Sequence, residues 1–363
     1  MKLKELEKLI QSGVDTGAFP GAAYAIVFKN HIYTNYVGNK ALYPNVEPNS
    51  LDTIYDMASV SKVMSTASCI LKLIETGKVR LFSKVSDFIP EFIHKDLTIW
   101  NLVTHTSGLV ECLNDQANIE SKEEAWQQIM NAEKILETNT LINYSDLNFI
   151  LLGRIVEVVS GMTLDEFAKT EIFDKMEMFD TGYNPEDALR CAPTEERCDR
   201  VVKGIVRGKV HDETAYILGG VAGHAGLFST VSDVAKFIQM VLNDGMHKDT
   251  KVFSKKIIDM MYTPLVKQQV GLSVLPKQRS VGWIIKDYNP SSGDLTSSNT
   301  IEHTGFTGTN VWIDRDNQVG FCLLTNRVHP TRKNILHMEL RPKVANYLIA
   351  NLESIKEEIE NAN

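Results

Sequence analysis

The segments of this chain that read as β-strand stand at its two ends, and a long stretch of helix-periodic sequence separates them. Near the N-terminus, Phe19-Pro20-Gly21 breaks an amphipathic helical start, Ala22 to Phe28 reads as a buried strand, and Lys29-Asn30 turns it. His31 to Gly38 then alternates as a half-buried strand, which completes an antiparallel hairpin. Toward the other end, Ser280 to Lys286, Thr309 to Asp314 and Val319 to Thr325 are β-rich, with Asp316-Asn317 as the turn between the last two. Between these ends, Glu123 to Ala132, Leu147 to Val159, Leu164 to Ile172, Ser232 to Leu242 and Ser254 to Met261 fit a period of 3.6. A sheet drawn from both ends has to join segments distant in sequence. The expected fold class is therefore α/β (α+β): an antiparallel β-sheet covered by N- and C-terminal helices, with an inserted, mostly helical lobe. The spacing predicts one long helix from Asn334 to about Ile359, and the polar loop Asn289 to Thr300 is expected to be the clearest flexible segment.

The chain has 363 residues, 43% of them hydrophobic and 23% charged, enough for one large core or two lobes. A formal net charge of -8, with no Lys/Arg-rich block, argues against a nucleic-acid partner. The five cysteines, Cys69, Cys112, Cys191, Cys198 and Cys322, are odd in number and unclustered, and Cys191 and Cys198 lack zinc-site spacing. They are read as free thiols. Met1 to Ile10 carries charges throughout, so it has no apolar signal core, and no run is long enough to span a bilayer. The expected location is the cytoplasm, or the periplasm or exterior if a leader has been removed.

One stretch carries chemistry: Asp56-Met57-Ala58-Ser59-Val60-Ser61-Lys62-Val63-Met64. Val63, Met64, Ala67, Ile70, Leu71 and Ile74 recur at helical spacing, and Gly77 stands where a C-terminal cap belongs. If Ser59 sits in the first turn, the i, i+3 relation brings the Lys62 ammonium within reach of the Ser59 hydroxyl. A serine hydroxyl needs a neighbour to take its proton, and a buried lysine can do so when desolvation lowers its pKa. Taken alone, the pattern equally describes a capped helix with a solvated lysine.

Two later stretches supply candidate partners. Asn143-Tyr144-Ser145-Asp146-Leu147-Asn148 precedes an apolar helix; Tyr144 is a candidate proton relay, and Ser145 and Asp146 are natural N-cap residues. Ile301-Glu302-His303-Thr304-Gly305-Phe306-Thr307-Gly308 reads as an edge strand ending in small residues, where Gly305 permits close approach and a backbone N–H can join that of Ser59 as an oxyanion hole.

The order Ser-x-x-Lys, Tyr-Ser-Asp, His-Thr-Gly resembles the serine β-lactamase and penicillin-binding protein superfamily, most of all its class C β-lactamase and D-alanyl-D-alanine carboxypeptidase branch. Phe19-Pro20-Gly21-Ala22, Leu102 to Leu109 and Gly223 to Thr230 support the likeness, which runs from about Phe19 to Arg327. The resemblance implies a β-lactamase/transpeptidase-like fold with Ser59 as the acylated nucleophile, Lys62 assisting its deprotonation and Tyr144 relaying a proton to the leaving group. It places Asp146, His303, Thr304, Gly305 and Phe306 on the substrate, with the Phe306 N–H completing the oxyanion hole. It implies one catalytic unit over 1–363, with an α/β lobe from 1–58 and 278–363 and a mostly helical lobe from 59–277. Two departures stand out. Asp146 replaces a common Asn, and His303 replaces the lysine of many β-lactamases, so a substrate carboxylate is gripped less firmly near pH 7.

The segment from Ala192 through Ala215, followed by Gly219 to His224, resembles an insertion in a subgroup of bacterial penicillin-binding proteins. His211, Asp212, Glu213 and His224 are read as structural polar contacts, because three neighbours cannot all point one way, and the resemblance calls for no metal or other cofactor. His105 is read as a turn histidine bonding the backbone near Ser107-Gly108. The implied function is a serine hydrolase acting through an acyl-enzyme on a small-molecule or peptide carbonyl: a D-amino-acid peptide, an ester or a β-lactam. The alternatives are a carboxylesterase on the same fold, or a non-catalytic protein binding penicillin or peptidoglycan fragments.

Overall fold

The computed structural model describes residues 1–113, 116–199 and 202–361. Positions 114 and 115 of the loop after Cys112, and 200 and 201 of the 192–224 insertion, lie outside the described residues. The hairpin forms as expected, from β1 (Gly21–Phe28) and β2 (Ile32–Ala41), followed by the short β3 (Glu47–Pro48). Late in the chain come β4 (Val266–Gln268), β5 (Lys277–Arg279), β6 (Ile284–Ile285), β7 (Thr300–Thr304), β8 (Asn310–Asp314) and β9 (Val319–Thr325). They make one nine-stranded sheet in the order β4-β5-β6-β7-β8-β9-β1-β2-β3. The join between the two ends of the chain is β1 against β9, antiparallel, with Ala22 opposite Thr325 and Phe28 opposite Val319. The sheet begins at Val266, ahead of the expected boundary at 278.

Every residue of β1 is buried, because the sheet is covered on both faces. Ala23, Ala25 and Val27 face one core, shared with the central helices; Tyr24, Ile26 and Phe28 face a second core, under the terminal helices. The helices that matter here are α1 (Lys2–Asp15), α2 (Ser68–Glu75), α3 (Asp146–Ser160), α4 (Glu213–Ile217), α5 (Val231–Leu242), α6 (His337–Ala350) and α7 (Leu352–Glu360). Leu6 and Ile10 of α1 meet Val344 and Leu348 of α6 and Ile355 and Ile359 of α7 in that second core. The expected single C-terminal helix is two, because Asn351 takes φ -120 and ψ 23 and interrupts the helical path.

Two further expectations change. β7 is an interior strand, paired to β6 and β8, but β6 is so short that its pairing ends at Ile284 opposite Glu302. Among the described residues, no strand pairs with His303 and Thr304 on that side, so the edge begins two residues later than the sequence suggests. The loop expected to be flexible is pinned. The buried Glu302 carboxylate accepts from the N–H groups of Ser291 and Ser292, and the buried Lys286 ammonium donates to the carbonyls of Gly293, Asp294 and Thr296. All five cysteines are free. Among the described residues no single helix is long and apolar enough to cross a membrane.

Candidate active site

Ser59 sits in a single 3₁₀ turn, Ala58–Val60, that runs on through a wide π turn, Lys62–Ala67, into α2. The i, i+3 relation holds across this irregular start, and the Lys62 ammonium donates to Ser59 Oγ at 3.0 Å. Lys62 is completely buried. It also donates to the His224 carbonyl at 2.9 Å, and it forms an ion pair with the Asp146 carboxylate, 2.7 Å away.

This environment corrects the expectation that burial would lower the Lys62 pKa. Burial does pull it down, but the Asp146 carboxylate and then Tyr144 outweigh burial, and the group ends above the usual lysine range. Lys62 is an ammonium in the resting site. Tyr144 is held as a phenol, pushed up chiefly by burial and drawn back in part by Lys62, whose ammonium lies 4.9 Å from the ring centre.

Tyr144 owes its place to His105. The two rings stack at 4.6 Å, and His105 Nδ1 accepts the Ser145 N–H at 3.1 Å. The His105 carbonyl accepts the Asn143 N–H at 2.8 Å, so both sides of Tyr144 hang from this residue. Burial first, then the charges of Arg279 and Lys62, keep the His105 imidazole well below its usual pKa. His105 does sit in a turn, at φ +57, but its imidazole bonds the Ser145 N–H forty residues downstream rather than the backbone near Ser107-Gly108. Ser145 is the N-cap of α3 without a side-chain cap bond, since its hydroxyl donates to the Val110 carbonyl instead. Asp146 opens α3 and turns to Lys62.

From the other side comes the end of β7. A Cβ on Gly305 would lie 2.6 Å from the Met57 carbonyl oxygen, so only glycine lets this strand approach the Ser59 turn. The Gly305 N–H is taken by the Thr309 carbonyl, and the Phe306 N–H makes no hydrogen bond among the described residues. His303 faces Tyr144, with ring centres 6.3 Å apart, and pairs its Nδ1 with the Thr304 carbonyl at 2.9 Å. Burial, then Lys62 and Arg279, lower its pKa to about 3. The expected part-time charge at position 303 is therefore absent near pH 7, because the imidazole is buried among cations.

The insertion supplies residues whose place could not be read from sequence. His224 Nε2 lies 2.7 Å from Asp212 Oδ1, and Asp146, Asp212 and His224 each present one atom within 4.8 Å of the others. Burial pushes the Asp212 carboxyl up, but His224 more than offsets it and leaves it below the usual carboxylate range. Such a trio has donor types that suit a divalent cation. The positive charge at this spot comes from Lys62, 2.7 Å from Asp146. His211 and Glu213 point elsewhere, to Glu195 at 3.1 Å and to Arg332 at 2.7 Å, so the three sequence neighbours diverge as expected, while Asp212 and His224 meet. The motif signal for His224 was its Gly-His-Ala-Gly setting; nothing local marked Asp212.

A large antiparallel sheet between terminal and central helices, with a serine and a buried lysine one turn apart beneath its edge, defines the serine β-lactamase and penicillin-binding protein fold. The chain belongs to the Beta-lactamase family, whose model matches residues 6–345. It is 29% identical to the N-acetylmuramyl-L-alanine amidase of Bacillus subtilis, over 90% of this chain and 81% of that one. It is also 29% identical to a Salmonella agona protein provisionally named D-alanyl-D-alanine carboxypeptidase, over 90% and 83%. Among solved structures it superposes on the octameric penicillin-binding protein homologue of Pyrococcus abyssi with a TM-score of 0.74, at 22% identity over 98% of this chain and 78% of that one. EstCE1, a hydrolase with promiscuous acyltransferase activity, gives a TM-score of 0.75 at 18% identity over 96% and 98%.

Proposed function

We propose that this chain is a serine hydrolase that works through an acyl-enzyme on amide or ester carbonyls. The contact of 3.0 Å between Ser59 Oγ and the fully buried Lys62 Nζ carries the reading. Ser59 Oγ attacks the carbonyl carbon. Its proton passes through the Lys62 and Tyr144 pair to the leaving nitrogen or oxygen, and water repeats the sequence to free the acid and restore the Ser59 hydroxyl. The N–H groups of Ser59 and Phe306 hold the developing oxyanion, and His303, Thr304, Gly305 and Asp146 line the substrate.

Relatives named for N-acetylmuramyl-L-alanine and for D-alanyl-D-alanine favour an amide bond of those kinds. A carboxylesterase is the second reading. The neutral His303 favours it, because nothing at that position then pairs with a substrate carboxylate. The deciding experiment is a panel of N-acetylmuramyl-L-alanine, D-Ala-D-Ala peptides, short-chain esters and a chromogenic cephalosporin, with intact-mass spectrometry to catch an acyl adduct. Turnover of the first two supports the amidase or carboxypeptidase reading, and turnover of esters alone supports the second. An adduct with the cephalosporin and no turnover of anything would leave a non-catalytic binding protein.

A further inference from the structure

Ala58, the residue before Ser59, has φ +46, a left-handed conformation that a residue with a Cβ adopts only when its surroundings hold it there. What holds it is Asp56. One carboxylate oxygen accepts the Ala58 N–H at 2.8 Å; the other accepts the His211 N–H at 2.7 Å. Asp56 is 3% exposed and, among the described residues, has no charged partner at these distances, an unusual place for a carboxylate. Its backbone is fixed as well: the Asp56 carbonyl accepts Thr307 Oγ1 at 2.7 Å, and the Met57 carbonyl accepts Thr309 Oγ1 at 3.0 Å. The His211 ring stacks on Phe306 at 5.7 Å. One buried side chain thus ties the Ser59 turn to the 192–224 insertion, and that insertion touches Phe306, whose N–H the proposed function assigns to the oxyanion.

We propose that Asp56 is a positioning residue: a two-pronged clasp that holds Ala58 left-handed, aims Ser59 Oγ, and registers the insertion against the Phe306 loop. The proposal rests on Ser59 being the nucleophile. Asn at position 56 keeps the shape but replaces one acceptor with an NH₂, which then faces an N–H donor; one prong fails and Ala58 is free to relax. Glycine at position 58 takes the left-handed conformation without a Cβ clash and removes the need for the clasp.

The test follows the rate of Ser59 labelling by a fluorophosphonate and the hydrolysis of p-nitrophenyl acetate in Asp56→Asn, Ala58→Gly and the double variant. Asp56→Asn is expected to lose about tenfold to a hundredfold in kcat with KM little changed, as for a displaced reacting atom. Adding Ala58→Gly is expected to restore most of that loss. A purely structural aspartate would lower the melting temperature without this rescue. Should Asp56→Asn not fold, a double variant that folds and labels supports the clasp. A double variant that stays unfolded or inactive overturns it, as does Asp56→Asn at the native rate. Labelling that persists in Ser59→Ala, or is absent from the native chain, would sink the reading of Ser59 itself.

Discussion

The Lys62 ammonium lies closer to the Asp146 carboxylate, at 2.7 Å, than to the Ser59 hydroxyl, at 3.0 Å. An ion pair inside the site decides which proton acceptor is ready at rest. With Asp146 beside it, Lys62 is charged, so the proposed acylation needs Lys62 to give up that proton first, or Tyr144 to pass its phenol proton to the leaving group as it takes the one from Ser59.

Asp146→Asn removes the first of the groups that raise the Lys62 pKa. The acidic limb of kcat/KM is expected to move down by about one pH unit or more. The check is a pH-rate profile on a neutral ester for both proteins. An unmoved limb would show that Lys62 does not set it.

Lys62→Ala and Tyr144→Phe are each expected to slow acylation by roughly 10²-fold to 10⁴-fold. Because one proton path runs through both, the double variant should be hardly slower than the worse single one. A double variant slowed by the product of the two effects would mean independent roles.

With the His303 pKa held near 3, the ratio of kcat/KM for carboxylate-bearing and neutral substrates is expected to stay flat from about pH 5.5 to 8. His303→Lys should raise that ratio. A native ratio that climbs as pH falls toward about 6.5 would place an imidazolium at the site and contradict the burial argument.

Stability should fall as pH drops below about 6.5. His303 and His337 are both held near pKa 3, chiefly by burial, and His105 well below its usual value. Their folded pKa values lie below the unfolded one, so between about 6.5 and 3 the unfolded chain binds more protons and acid favours it. For each of the two near 3 this amounts to about 2 kcal/mol at pH 5. Glu195, held near 2 against burial by His211 and Arg332, adds a loss in the same direction below about pH 4.5. Urea melts at pH 7.5 and 5 measure the histidine sum, and His337→Phe should reduce the difference. Equal midpoints at the two pH values would refute it.

Periodicity made most of the helices and the terminal strands legible, because each is specified by its own alternation of apolar and polar residues. The spacing of Ser59 and Lys62 was legible for the same reason: a helical turn brings them together whatever the rest does. The identity of the sheet's neighbours was not local. That β7 is interior at Ile301 and open at His303 depends on β6 stopping after two residues, and a strand's pairing partner leaves no mark on its own sequence.

Sequence alone determined most of the elements, the family and the residues around Ser59, since local propensity and ordered motifs carry that information. Only the tertiary structure decided their charge states and their supports. His105 meets Tyr144, Asp56 meets His211, and His224 meets Lys62 across separations that no periodicity encodes. A pKa is set by which charges and how little water surround a group: in the assembled fold the Asp146 carboxylate outweighs burial and keeps Lys62 a cation, while burial beside Lys62 and Arg279 leaves His303 a neutral ring.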